Sequence, residues 1–175
     1  MERASSSNDA FELLGLPAQF DLDPQVIERA FLDRSKELHP DRFATAPAAE
    51  RVAALSRSRA LNDAYQTLKK PVPRAEYLLA RAGVTIGDNE RVAPELLMEI
   101  LELREELADA RAAKRAAEIE RLQRAMKQRR DAAVERLAGL FARGDLGELK
   151  AQLVQLRYLD RYLDECDSAL DEDED

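Results

Sequence analysis

The chain has 175 residues, 45 % hydrophobic and 35 % charged, the composition of a soluble protein rich in Ala, Leu, Glu and Arg with no apolar run of membrane-spanning length. A net charge of −8 leaves no basic surface for nucleic acid, and the closing "DEDED" reads as a solvated, disordered tail. A single cysteine, Cys166, excludes an internal disulfide; with the single histidine, His39, far away in sequence, it argues against a zinc or iron–sulfur site, so no metal and no cofactor are expected.

The opening "MERASSSNDAF" lacks both the apolar core of a signal peptide and the Arg-rich length of a transit peptide, and a cytoplasmic location is expected. From Phe11 onward the apolar period is helical, Gly and Pro are scarce and clustered, and no segment reads as a strand, so the fold is all-α. "NDAFELLGLP" predicts a short helix capped by Asn8 or Asp9 and stopped around Gly15 and Pro17. "DLDPQVIERAFLDRSKEL" follows, with Asp23 as N-cap and Pro24 in the first turn, and ends near Leu38 because Pro40 disfavours helical geometry at His39.

A third helix runs from about Ala48 to Lys69 on an apolar stripe of Val52, Leu55, Leu61, Tyr65 and Leu68, and "KKPVP" breaks it. A fourth short helix, "RAEYLLARAG", ends at Gly83, and "VTIGDNERV" reads as a polar linker. Beyond it lie three stripes: Leu96, Ile100, Leu103 and Leu107; Ile119, Leu122, Met126, Ala133, Leu137 and Leu140; and Leu149, Leu153, Leu156 and Leu163. "ARGDLG" separates the last two helices. No strong breaker lies between Leu107 and Ile119, but three antiparallel helices bury these stripes better than one long helix.

At about 100° per residue the second helix places Ile27, Phe31 and Leu38 on one face and Arg29 and Lys36 on the other. Arg34 lies near the apolar stripe, where its stem can pack with the head in water. "HPD", residues 39–41, then sits at the tip of a hairpin formed by the second and third helices. In "PELLMEILELREEL" the residues Leu97, Met98 and Leu101 turn away from the core stripe, beside Glu102, Arg104 and Glu105. On the last helix Tyr158, Tyr162 and Val154 fall on the far side from the leucine stripe, and Cys166 lies near the edge of the apolar face. This apolar surplus suits packing within the protein, a protein-binding patch bordered by charge, or self-association.

The hairpin with its His-Pro-Asp loop resembles the J-domain, which stimulates ATP hydrolysis by DnaK-class chaperones. Together "FELLGLP", "HPDRF", "LNDAYQTLKKPVPRAEYLL" and "LLMEILELREEL", in that order and from Phe11 to about Leu163, resemble the HscB family of co-chaperones of iron–sulfur cluster assembly. Arg42 stands where lysine is common in the family, with the charge kept. The Cys-rich zinc-binding extension of some eukaryotic relatives is absent.

The resemblance implies a J-domain over residues 1–82, a linker over 83–93, a C-terminal three-helix bundle over 94–170 and an acidic tail over 171–175, in an L-shaped two-domain arrangement. It implies an adaptor with two partners and no enzyme activity of its own. His39, Pro40, Asp41 and Arg42, with Arg29 and Lys36, would meet an HscA- or DnaK-class ATPase. Leu97, Met98, Leu101, Glu102, Arg104, Glu105 and Tyr158 match the residues through which relatives bind the scaffold protein IscU. A monomer is expected. The competing reading is a general J-protein or a structural helical protein whose patch is intramolecular. An enzyme is set aside because no nucleophile–base pair, phosphate loop or paired-carboxylate cleft is legible.

Overall fold

The structure, a computed structural model, describes residues 9–171, so Asn8 and all of the acidic tail after Asp171 lie outside the described residues. It contains seven α-helices and no strand among the described residues: α1 (Ala10–Leu14), α2 (Pro24–Glu37), α3 (Ala48–Lys69), α4 (Pro71–Arg81), α5 (Pro94–Ala112), α6 (Ala116–Arg143) and α7 (Leu146–Asp171). A 3-10 turn over Pro40–Phe43 links α2 to α3. The chain divides into two compact units, Met1–Leu78 and Leu79–Asp175.

In the first unit the caps fall where the short polar residues stand. The Asp9 carboxylate accepts from the amides of Phe11 and Glu12, and Gly15 closes α1 in the left-handed region at φ 70°. Asp23 caps α2, and Pro24 occupies its first turn, where a missing N–H costs nothing. Phe11, Leu14, Ile27, Leu61 and Leu68 form the core, with Phe31, Leu38 and Tyr65 packed against it. Tyr77 ties the ends of this unit together: its hydroxyl accepts from the Ala10 amide at 2.9 Å and donates to Asp9 Oδ2 at 3.2 Å.

Two expectations for this unit are corrected. Val52 and Leu55 are exposed, and Ala54 is the buried residue of that part of α3. With 22 residues against the 14 of α2, α3 outruns its partner, and its first turns run beside the short Pro40–Phe43 turn instead of the core. The fourth helix begins at Pro71, three residues ahead of "RAEYLLARAG". Lys70 takes the extended conformation a following proline requires, and both Pro71 and Pro73 lie in the first turn, where no intrahelical N–H is needed. Arg74 then caps the end of α3: its Nη1 donates to the Leu68 carbonyl at 2.8 Å while the guanidinium lies 5.2 Å over the Phe20 ring. Burial lowers its pKa, opposed by the nearby Asp21 carboxylate.

The second unit is a three-helix bundle in which α6 runs back between the parallel helices α5 and α7. The α5–α6 break exists without glycine or proline. Lys114 adopts φ 53°, the Lys114 amide bonds to Arg111 O, and the Arg115 amide bonds to Ala110 O. That pair of bonds is a Schellman motif with lysine in the left-handed position. The stripe Ile119, Leu122, Met126, Ala133, Leu137 and Leu140 is buried throughout, as are Leu149, Leu153, Leu156 and Leu163. Val154 and Tyr162, expected on the outer side of α7, are also buried, because α7 packs against α5 and α6 on two faces and has no single inner side. The Tyr162 hydroxyl donates to the Leu103 carbonyl at 3.2 Å, and burial raises its pKa. Cys166 is fully buried and not at an edge, and burial pushes its thiol up to about 11.

Candidate functional site

Two constellations, one in each unit, hold the site residues expected from the sequence. The first is the loop that closes the α2–α3 hairpin. Leu38 ends α2 with a final amide bond to Arg34 O, and His39 is extended (φ −59°, ψ 130°) as Pro40 demands. From Pro40 the backbone tightens into the 3-10 turn, with the Arg42 amide bonding to His39 O at 3.0 Å. His39 caps this turn: its Nδ1 accepts from the Asp41 amide at 3.3 Å, which in a neutral imidazole leaves the proton on Nε2. Nδ1 also lies 3.5 Å from Asp41 Oδ2. Asp41 is 90 % exposed at its side chain and takes no part in holding the turn through its carboxylate other than this contact.

Of the cations expected around the loop, Arg29 and Arg42 are exposed, and Lys36 is exposed with Asp33 at 3.5 Å. Arg34 pairs at 3.5 Å with Glu37 while its Nη2 approaches Gly15, so it braces α2 against the end of α1. Among the described residues, four large apolar side chains that the core does not use are exposed on this unit: Val26 and Leu32 on α2, Val52 and Leu55 on α3. The helical stripe points Val52 and Leu55 toward the core because a stripe alone does not say where the neighbouring helix ends.

The second constellation lies on α5 and the adjoining face of α7. Leu97, Met98 and Leu101 are 43 %, 58 % and 46 % exposed, in contrast with Ile100 and Leu107 of the same helix, which are buried. Glu102 and Glu105 stand exposed beside them. Arg104 is half-buried in a two-pronged ion pair with Glu165 of α7, Nε to Oε2 at 3.0 Å and Nη2 to Oε1 at 2.6 Å. Tyr158 is half-buried too: its hydroxyl donates to the Glu90 carbonyl at 3.4 Å, and the Arg161 guanidinium lies 5.8 Å from the ring centre.

Leu97, Tyr158 and Arg161 line a groove of about 480 Å³ whose other wall is the segment from Asp88 to Pro94. That segment, read from sequence as a linker, is pinned to α7. Arg157 Nη1 donates to Gly87 O at 3.2 Å, and the Glu90 carboxylate accepts from Lys150 Nζ at 2.7 Å and from the Gly87 amide at 3.0 Å. The Lys150 hydrogen bond, then that of Gly87, holds the Glu90 carboxyl below its ordinary value. Neither Glu165 nor Glu90 carried a sequence signal for its ion pair, since Arg104 and Lys150 lie 61 and 60 residues away along the chain.

Among the described residues no group of three or more His, Cys, Asp and Glu side chains is placed to hold a metal ion, and no helix is long and apolar enough to cross a membrane. What the two surfaces offer is binding: a charged tip on one unit, and an apolar patch with a carboxylate rim on the other.

Comparison with known proteins agrees with this division. Residues 9–77 match the family profile described as "DnaJ domain", and residues 92–167 match "HSCB C-terminal oligomerisation domain". The chain is 38 % identical to the "Co-chaperone protein HscB homolog" of Burkholderia thailandensis over 160 residues, 90 % of this chain and 91 % of that relative. Among solved structures, the chaperone HscB from Vibrio cholerae superposes with a TM-score of 0.83 at 35 % identity, covering 94 % of this chain and 98 % of that one. The human co-chaperone HscB, at 24 % identity, shares the fold with a TM-score of 0.86, covering 96 % of this chain and 85 % of its own.

Proposed function

The chain belongs to the HscB family of J-domain co-chaperones, and on that premise we propose that it is an adaptor between an IscU-type iron–sulfur scaffold and a DnaK-class ATPase of the HscA type. In this reading it has no catalytic site and no cofactor of its own, and it works in the cytoplasm. Residues 1–82 serve as the J-domain, residues 94–170 as the scaffold-binding bundle, and residues 83–93 join them.

The observation that carries the proposal is the exposure of two unlike surfaces on separate units: the His39 and Asp41 side chains on one, and Leu97, Met98 and Leu101 on the other. At the tip, His39 and Pro40 shape the turn and Asp41 presents a carboxylate to a cation or N–H donor of the ATPase. Arg29, Lys36 and Arg42 add positive charge around it, giving modest steering because Asp33 and Glu37 offset part of that charge. On the bundle, Leu97, Met98, Leu101 and Tyr158 supply apolar area, and Glu102, Arg104 and Glu105 supply the polar rim.

The test is the steady-state ATPase rate of the chaperone with the full chain alone, scaffold alone, and both. Stimulation by the chain, rising further when scaffold is added, is the expected pattern. No stimulation at saturating chain would reject the J-domain half, and scaffold without effect or measurable binding would reject the other. A second reading, self-association through the apolar patch, is favoured by the oligomerisation named in the matched C-terminal family. Sedimentation at rising concentration separates it from the monomer that the adaptor reading expects.

A further inference from the structure

On α5, Leu97, Leu101 and Arg104 fall within an arc of about 60° at helical spacing, so the arginine rises from the same stripe as the two exposed leucines. On α7, Tyr158 and Glu165 are two turns apart and also share a face. Because α5 and α7 run parallel, these two stripes lie side by side, and the Arg104–Glu165 pair joins them. An unpaired arginine samples many directions through its flexible stem, whereas two parallel bonds to one carboxylate fix the plane of its fork. Glu165 engages Nε and Nη2 and leaves Nη1 out of the pair.

We propose that Glu165 is a positioning residue of the scaffold-docking face, aligning the Arg104 guanidinium with the Leu97–Leu101 stripe so that its remaining donors point at the partner. The proposal rests on the scaffold-binding reading of that face. In it Glu165 touches no partner atom and acts only through Arg104. The rim then presents a directed donor in place of a freely moving cation, and the ordering cost of that side chain is met within the folded monomer before binding.

The experiment is calorimetric titration of an IscU-type scaffold into the full chain and its variants Arg104→Ala, Glu165→Ala, the double variant, Glu165→Gln and Leu97→Ala. Glu165→Ala is expected to weaken binding about five- to tenfold in the native background and less than about twofold when Arg104 is already Ala. Glu165→Gln, which keeps one acceptor for the guanidinium, is expected to fall between native and Glu165→Ala. An equal loss in both backgrounds would overturn the proposal, since it would mean direct contact or general damage to the bundle. No loss in the native background would overturn it as well. Leu97→Ala separates the two levels: a weakened Leu97→Ala with a silent Glu165→Ala removes only the positioning role, whereas unchanged binding by Leu97→Ala removes the docking reading together with it.

Discussion

The rings of Phe31 and Tyr65 lie one on the other, centroids 4.2 Å apart and planes 11° from parallel, and so fasten the middle of α2 to α3. Beyond this clamp the hairpin narrows to the 3-10 turn, where the side chains of His39 and Asp41 are exposed. Stability and the tip are thereby separated: the core holds the hairpin, and the loop is displayed by it.

His39→Gln and Asp41→Asn should therefore leave the fold intact, with stability changed by no more than about 0.5 kcal/mol, while stimulation of the chaperone ATPase disappears. Scaffold affinity should not move. Circular-dichroism melts paired with the ATPase assay check this, and retained stimulation would sink the role given to the loop.

Replacing Leu97, Met98 and Leu101 together by Ala should lower stability by about 1–3 kcal/mol, because the covered part of each side chain is lost while Ala is a better helix former and no closed cavity is left. Each side chain is already about half covered in the fold, so docking can add about half of the 1.5–3 kcal/mol that full burial brings. A combined loss of about 2.8 kcal/mol, a hundredfold in affinity for the scaffold, is expected from titration calorimetry. A large drop in melting temperature with affinity unchanged would show the patch to be internal packing.

The two tyrosines of α7 should part company. Tyr162→Phe removes the hydroxyl's bond to the Leu103 carbonyl, which keeps its helical amide partner within α5, and should cost about 0.5–1.5 kcal/mol in denaturant melts with scaffold binding unaffected. Tyr158→Phe should be nearly silent in stability, and Tyr158→Ala should weaken binding. Equal behaviour of the two phenylalanine variants would contradict the burial difference.

Cys166 should behave as a small core side chain. With its thiol pushed up from 9.0 to about 11, the folded protein should not react with a thiol reagent at pH 8 over the time in which the unfolded chain reacts completely. Cys166→Ser should lose about 1–2 kcal/mol of stability from the buried hydroxyl and keep full co-chaperone activity. Stoichiometric metal in the purified native protein, lost in this variant, would overturn the expectation that no metal is bound.

The Glu90 carboxyl is held below its ordinary value of 4.5 by Lys150 and the Gly87 amide. A group depressed in the folded state stabilises it above its unfolded pKa and loses that contribution as pH falls through the folded value. Glu90→Gln should accordingly melt below the native protein at pH 7, and the two melting curves should converge as the pH drops beneath the carboxylate range. A gap of constant size down to pH 3 would show that the pair with Lys150 is not what Glu90 contributes.

Much of the fold is legible in the sequence where a residue's chemistry has one structural use. Asp9, Gly15, Asp23, Pro24 and Pro40 set helix ends by capping or by steric exclusion, and these ends stand where those residues do. Legibility fails where a residue departs from its usual role. Pro71 and Pro73 read as breakers but open α4, and Lys114 holds the left-handed corner that Gly15 and Gly83 hold elsewhere. It also fails for α7, whose second buried face follows from having helices on two sides. On the candidate docking face, the outward turn of Leu97, Met98 and Leu101 follows from helical arcs alone. Glu165 does not, because only the fold brings it to Arg104.

The burial of Cys166 makes the protein convenient to watch. Its one native sulfhydryl is sealed in the bundle, so a cysteine introduced at Ala125 or Ala132, both exposed on α6, can be tagged with a fluorophore while Cys166 stays in place. In a three-helix bundle those positions lie across from the α5–α7 face, leaving it unencumbered. Dye emission and rotational anisotropy could then follow partner capture and release in real time on a chain that keeps every residue of its candidate interfaces.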